Sequence, residues 1–171
     1  MNLSILLALA ALASLEHGPA GDASEAFTRL RLLQGSWRGT YTWTGARTES
    51  GKMTATYRLT GNGSALIEDL AVGEQPSMTS AYHLDKGDLR MTHYCGAGNQ
   101  PRLKAGSIDL TKNLIRFDFV DITNLPTPDF PHVHGFTIRL VDGDHIELEF
   151  AFIGKGKESV EHIALTRIAA T

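Results

Sequence analysis

From Ser36 to Ile168 the chain alternates apolar and polar residues with a period of two, and turn-forming clusters interrupt the pattern again and again. In "SWRGTYTW", Trp37, Gly39, Tyr41 and Trp43 share one face, and in "KMTATYRL", Met53, Ala55, Tyr57 and Leu59 do. The segments "SALIEDLAV", "SMTSAYHL", "DLRMTHYC", "SIDL", "LIRFDFVD", "HGFTIRLV", "HIELEFAFI" and "SVEHIALTRI" follow, with "TGNGS", "DKGD", "LTKN", "VDGD" and "GKGK" among the breaks. A period of two marks half-buried strands, and Gly, Asn and Asp clusters at such short spacing mark tight connections between antiparallel neighbours. About ten short strands in this order do not stay flat, so they close. The expected fold is all-β, a closed antiparallel meander β-barrel of about ten strands. One connection departs from the rule. "DITNLPTPDFPHVH" carries three prolines, which excludes a central strand and makes a long loop of the kind that often carries function.

A short amphipathic helix is expected before the first strand. "ASEAFTRLRLLQG" opens with Ser24 as an N-cap and Glu25 in the first turn, carries Phe27, Leu30 and Leu33 on one face, and ends at Gly35. The preceding "MNLSILLALAALASLEHG" reads as a signal peptide over residues 1–20. Ile5 to Leu12 is continuously apolar and "ALAS" offers a small-x-small cleavage pattern, although no lysine or arginine precedes the run. Too short to span a bilayer comfortably, it implies export to a periplasmic or secreted location, with residues 24–171 forming a single domain. A lone cysteine, Cys95, makes no internal disulfide, so stability rests on the core. Lys and Arg number 16 against 19 Asp and Glu, with no basic run. A nucleic-acid partner and an anionic membrane surface both lack an electrostatic footprint.

"LLQGSWRG" contains Gly35-Ser36-Trp37, and "ALTRI" places Arg167 on the last strand. The first resembles the G-x-W motif of the lipocalin and calycin families, and the second stands where those families carry the cationic partner that packs across the tryptophan. The strand count is more similar to the ten-stranded members, the fatty-acid-binding proteins and nitrobindin-like haem binders. "THYCGAGNQPR" and "FDFVDITN" also resemble an uncharacterised bacterial calycin-like family that carries no assigned activity. The resemblance implies a barrel anchored by Trp37 and Arg167, with a small molecule or a haem inside it.

Side-chain parity selects the candidate site residues. Leu89, Met91, His93 and Cys95 oppose Arg90, Thr92 and Tyr94, so the first set is expected inside. By the same rule His134 points inward with Phe136 and Ile138, Asp121 with Phe117 and Phe119, and Tyr82 with Met78 and Leu84. An apolar interior that receives a few polar groups is the usual make-up of a small-molecule pocket. The expectation is a cavity lined by Tyr82, His93, Cys95 and His134, with Asp121, Asn124 and His132 at its mouth. The turn residues Asn99, Gln100 and Arg102 either contact a polar ligand head or serve turn chemistry alone.

Three chemistries compete for these residues. His132 with His134, and His93 with Cys95, stand about 6.5 Å apart if they lie on strands, a spacing that suits a shared zinc or copper ion. A single inward histidine, His93 or His134, suits haem. Cys95 beside His93, or Asp121 orienting a loop histidine, suits catalysis. The catalytic residues, the metal and the cofactor stay unassigned at this level, and no nucleophile-elbow, phosphate-loop or zinc-protease motif occurs. Binding of a small, partly apolar ligand ranks first. A haem protein, metal protein or small-molecule enzyme is the alternative, and a structural envelope protein with a filled barrel is the third reading.

Overall fold

The computed structural model describes residues 19–74 and 76–169. The segment read as a signal peptide lies outside the described residues as far as Gly18. A helix α1 (Pro19–Arg31) leads into ten strands: β1 (Gly35–Gly45), β2 (Glu49–Thr60), β3 (Ala65–Ala71), β4 (Pro76–Asp85), β5 (Asp88–Tyr94), β6 (Gln100–Asp109), β7 (Leu114–Thr123), β8 (His132–Leu140), β9 (His145–Gly154) and β10 (Lys157–Arg167). Each strand pairs antiparallel with its sequence neighbours, and β10 closes on β1, giving a closed ten-stranded meander barrel. Closure removes both sheet edges and satisfies the ladder on every strand.

The helix begins earlier than Ser24, at Pro19, where a proline's missing N–H costs nothing. Asp22 in the first turn and Arg29 and Arg31 in the last complement the helix dipole. Ala23, Ala26, Phe27 and Leu30 of α1, with Leu33 just beyond it, are buried. The helix packs against β4, β5 and β6. Arg29 ties it to the β6–β7 turn, donating to Leu110 O at 2.7 Å and to the Asn113 side chain. The end of the barrel where β1 begins is therefore plugged.

Trp37 anchors that plugged end. It is fully buried, and its indole N–H donates to Leu33 O at 2.8 Å. Arg167 lies over the ring with Cζ 4.2 Å from the centroid, and donates to Gln34 O, Leu32 O and Gly143 O. One guanidinium thus gives a cation–π contact and closes three backbone carbonyls that no strand reaches. Gly39, two residues on, lets β1 approach β10, since a Cβ there would stand 1.8 Å from Ala164 O.

Strand β6 is longer than "SIDL" suggested and takes in Pro101. The β5–β6 ladder runs only from Arg90↔Lys104 to Thr92↔Arg102, so Pro101 sits beyond the point where a donor toward β5 is needed. Four register shifts interrupt the ladders; one, between Leu70 and Ala71 in the β3–β4 pair, leaves Ser77 as an extra residue. In the β6–β7 pair, Leu103 faces Phe119 but Arg102 faces Asp121, which leaves Val120 as an extra residue; a second shift falls between Ala105 and Ser107. In the β8–β9 pair, Val133 faces Phe152 and Gly135 faces Ala151, which leaves His134 as an extra residue. Each is a bulge, and each swaps inside for outside beyond it.

Candidate functional site

At the end of the barrel opposite the helix a cavity of about 600 Å³ opens. Its walls are mostly apolar. Tyr41 and Trp43 come from β1, Met53 from β2, Met78 from β4 and Phe152 from β9, with Cys95 just past β5. All occupy inward positions of the two-residue alternation. Trp43 and Phe152 pack with ring centroids 4.7 Å apart.

One buried acid stands in this wall. Glu161 shares the inward face of β10 with Ile163 and Leu165, and is 3 % exposed. Among the described residues its Oε2 has no hydrogen-bond partner. Burial pushes its pKa up to about 7, against the opposing pull of the Arg47 guanidinium and the neighbouring Trp43 indole. Arg47 does not pair with it. The guanidinium stacks on Trp43, Cζ 4.2 Å from the ring centroid, and binds Glu49 through Nε at 3.1 Å and through Nη2. Tyr41 OH donates to the other oxygen of Glu49 at 2.8 Å.

Beneath the cavity the barrel is filled, and its interior carries a second set of polar groups. Glu68 Oε2 accepts from Tyr57 OH at 2.7 Å and from Tyr82 OH at 3.0 Å. Ser80 Oγ and His93 Nδ1 share a hydrogen bond of 3.0 Å, and the His93 ring packs on Phe150 with centroids 5.0 Å apart. Glu68, Ser80, Tyr82 and His93 are fully buried. Burial raises the Glu68 carboxyl pKa and lowers that of the His93 imidazole to about 3, so this histidine is neutral near pH 7. Tyr82 and His93 do point inward as parity requires, but they belong to this packed layer and not to the cavity wall.

Cys95 does line the cavity. Its thiol pKa is raised, first by burial, while the Ala97 N–H donates to Sγ at 3.4 Å. With His93 Nδ1 on Ser80 and the thiol protonated near neutrality, the two do not form an activated thiol–imidazole pair.

Two inward expectations fail at the bulges. Beyond the extra Val120, Asp121 turns to the outer face, where Arg102 binds it through two hydrogen bonds, Nη2–Oδ2 at 2.7 Å. The bulge on β8 gives the inward position to Val133, which is fully buried, and leaves His134 exposed, stacked on Phe119 with centroids 4.6 Å apart. His132 is buried beside it, ring centroids 5.6 Å apart, with Nδ1 2.9 Å from Phe130 O. Neither histidine lines the cavity. Among the described residues no group of three or more His, Cys, Asp or Glu is placed to hold an ion.

The turn residues act on the backbone. Asn99 is buried and donates to Pro131 O at 2.9 Å, and Asn124 donates to Gly98 O at 2.5 Å. Gln100 accepts from Thr123. The turn after β5 and the Pro-rich loop therefore meet at the cavity rim, with Ala97 and Pro131 both in the wall, but asparagines join them and the histidines do not. Two functional candidates, Glu161 and Glu68, escaped the sequence reading. Their signal was present: Glu161 stands in phase with Ile163 and Leu165, and Glu68 with Leu66 and Leu70.

No family model matches this chain, and no curated protein matches it. Among solved structures it is similar to Rv2717c from M. tuberculosis, with a TM-score of 0.58 and 18% identity over 84% of this chain and 98% of that one. It is also similar to a protein of unknown function from the DUF3598 family of Nostoc punctiforme, with a TM-score of 0.47 and 12% identity over 80% of this chain and 48% of that one. The likeness to the first is one of fold.

Proposed function

We propose that this protein binds a small, partly apolar molecule in the cavity at the open end of its barrel. The observation that carries the reading is a space of about 600 Å³ with aromatic and methionine walls into which one buried, unpartnered carboxyl oxygen is built. That volume falls within the usual range for small-molecule sites, about 300–1,000 Å³. A buried polar atom without a partner costs about 1–3 kcal/mol, which a ligand donor recovers. The filled lower half, closed by α1 and Trp37, holds the rim in shape, so little ordering is required on binding. The clasp of Arg167 on Trp37 supports a calycin-like assignment of the barrel, and the apolar N-terminal run supports export.

The test is titration with a neutral fluorescent apolar probe, N-phenyl-1-naphthylamine, beside native mass spectrometry of the purified protein. Saturable one-to-one binding is expected, and Met78→Arg, which places a charge in the cavity wall, should abolish it while the fold persists by circular dichroism. A probe that does not saturate, together with no retained small molecule, refutes the proposal.

A further inference from the structure

The polar groups of this cavity narrow its ligand class, an inference that rests on the binding reading above. Arg47, Glu49 and Tyr41 form a closed set, in which the guanidinium and the phenol both serve Glu49. Cys95 carries a protonated thiol near neutrality. Lys155 and Lys157 stand exposed at the rim, where solvent and salt screen them. Arg47 and Glu49 are the charged neighbours that act on Glu161. Among the described residues, the wall's single arginine is engaged by one of its two carboxyls and the other is left over: Glu161, 3 % exposed, with Oε2 unpartnered. The π-faces around it belong to Tyr41, Trp43 and Phe152, and Trp43 already carries one cation, the Arg47 guanidinium, on its ring.

The geometry points to a small apolar amine as the ligand, its ammonium N–H donating to Glu161 Oε2, its charge among the aromatic rings and its hydrocarbon part against Met53 and Met78. A buried carboxylate and an ammonium make a charge-assisted hydrogen bond, about twice as strong as a neutral one, and desolvated aromatic faces add cation–π attraction. A carboxylate ligand would instead meet Glu161 as a like charge in a poorly solvated wall. A neutral alcohol would satisfy Oε2 but bring no charge. Because the Glu161 carboxyl titrates near neutrality, amine affinity rises as the pH passes through that range, while an alkylammonium, like lysine, stays charged throughout.

Calorimetric titration with three eight-carbon probes, octylamine, 1-octanol and octanoate, tests this on the intact protein. At about pH 8 octylamine should bind about tenfold tighter than 1-octanol, with octanoate weakest. At about pH 5.5, where Glu161 is mostly protonated, the amine's advantage should fall below about threefold. Glu161→Gln should remove the advantage at the higher pH and leave 1-octanol affinity nearly unchanged; the wild-type pH series provides the same discrimination should that variant fold poorly. Equal or tighter binding of 1-octanol at about pH 8, or an amine advantage that survives in Glu161→Gln, overturns the amine assignment and leaves the binding proposal standing. Failure of all three probes to bind overturns both.

Discussion

Replacing Glu161 with glutamine should make the ligand-free protein more stable, by an amount that grows with pH. The carboxyl titrates at about 7 in the folded chain, against 4.5 for an ordinary glutamate. The folded state therefore holds this proton more tightly than the unfolded state. Its contribution is fully present below about pH 4.5 and is lost as the pH rises through about 7. At about 1.4 kcal/mol per pH unit, the interval corresponds to about 3 kcal/mol. Glutamine keeps the shape but does not ionise. Urea unfolding of both proteins between about pH 4 and pH 8 isolates the effect, because groups that do not interact with Glu161, His93 and Glu68 among them, contribute equally to each. The difference, variant minus wild type, should climb by about 2–3 kcal/mol across that range. A difference that stays constant within about 0.5 kcal/mol, or falls with pH, would show that Glu161 is solvated or paired and would remove the anchor from the cavity.

His93→Gln should flatten the acid side of the stability profile. The imidazole pKa of about 3 lies below its unfolded value of 6.5, so its contribution is present above about pH 6.5 and is lost as the pH falls toward about 3, up to about 5 kcal/mol by linkage; urea midpoints at about pH 4 and pH 7 check it. Trp37→Ala should cost about 3–5 kcal/mol and Arg167→Ala about 1–3 kcal/mol, through the backbone carbonyls it leaves open; thermal unfolding of the two variants and their double mutant should show non-additivity from the shared contact. Gly39→Ala should abolish folding or split the β1–β10 seam, since its Cβ would stand 1.8 Å from a backbone carbonyl oxygen, and hydrogen exchange along β10 reads the seam directly. Mass measurement of the protein from its native host should find the N-terminus near Ala13 or Ala20 if the leader is removed; an intact Met1 would argue against export.

Strand number, meander order and the amphipathic face of α1 were all legible in the chain, because each depends on local alternation, turn chemistry or helical spacing that a strand or helix carries wherever it packs, whereas the Trp37–Arg167 contact was expected only from the resemblance to calycin families. The inward placement of His93, Tyr82 and Cys95 followed from the same alternation, since the β4–β5 ladder runs unbroken from Thr79↔Tyr94 to Asp85↔Asp88. Asp121 and His134 did not, because bulges are properties of strand pairs: an extra Val120 opposite β6 and an extra His134 opposite β9 appear only once the partners are in register. Glu161 shows the same division. Its phase with Ile163 and Leu165 was written in the sequence, but its chemistry depends on Arg47 choosing Glu49 across the β1–β2 turn and on Trp43 and Phe152 closing around it. A one-dimensional pattern determines which side of a strand a side chain takes until a bulge intervenes; which partner each charge meets, and whether any space is left beside it, is decided only when the barrel closes, because desolvation and pairing are set by neighbours distant in sequence.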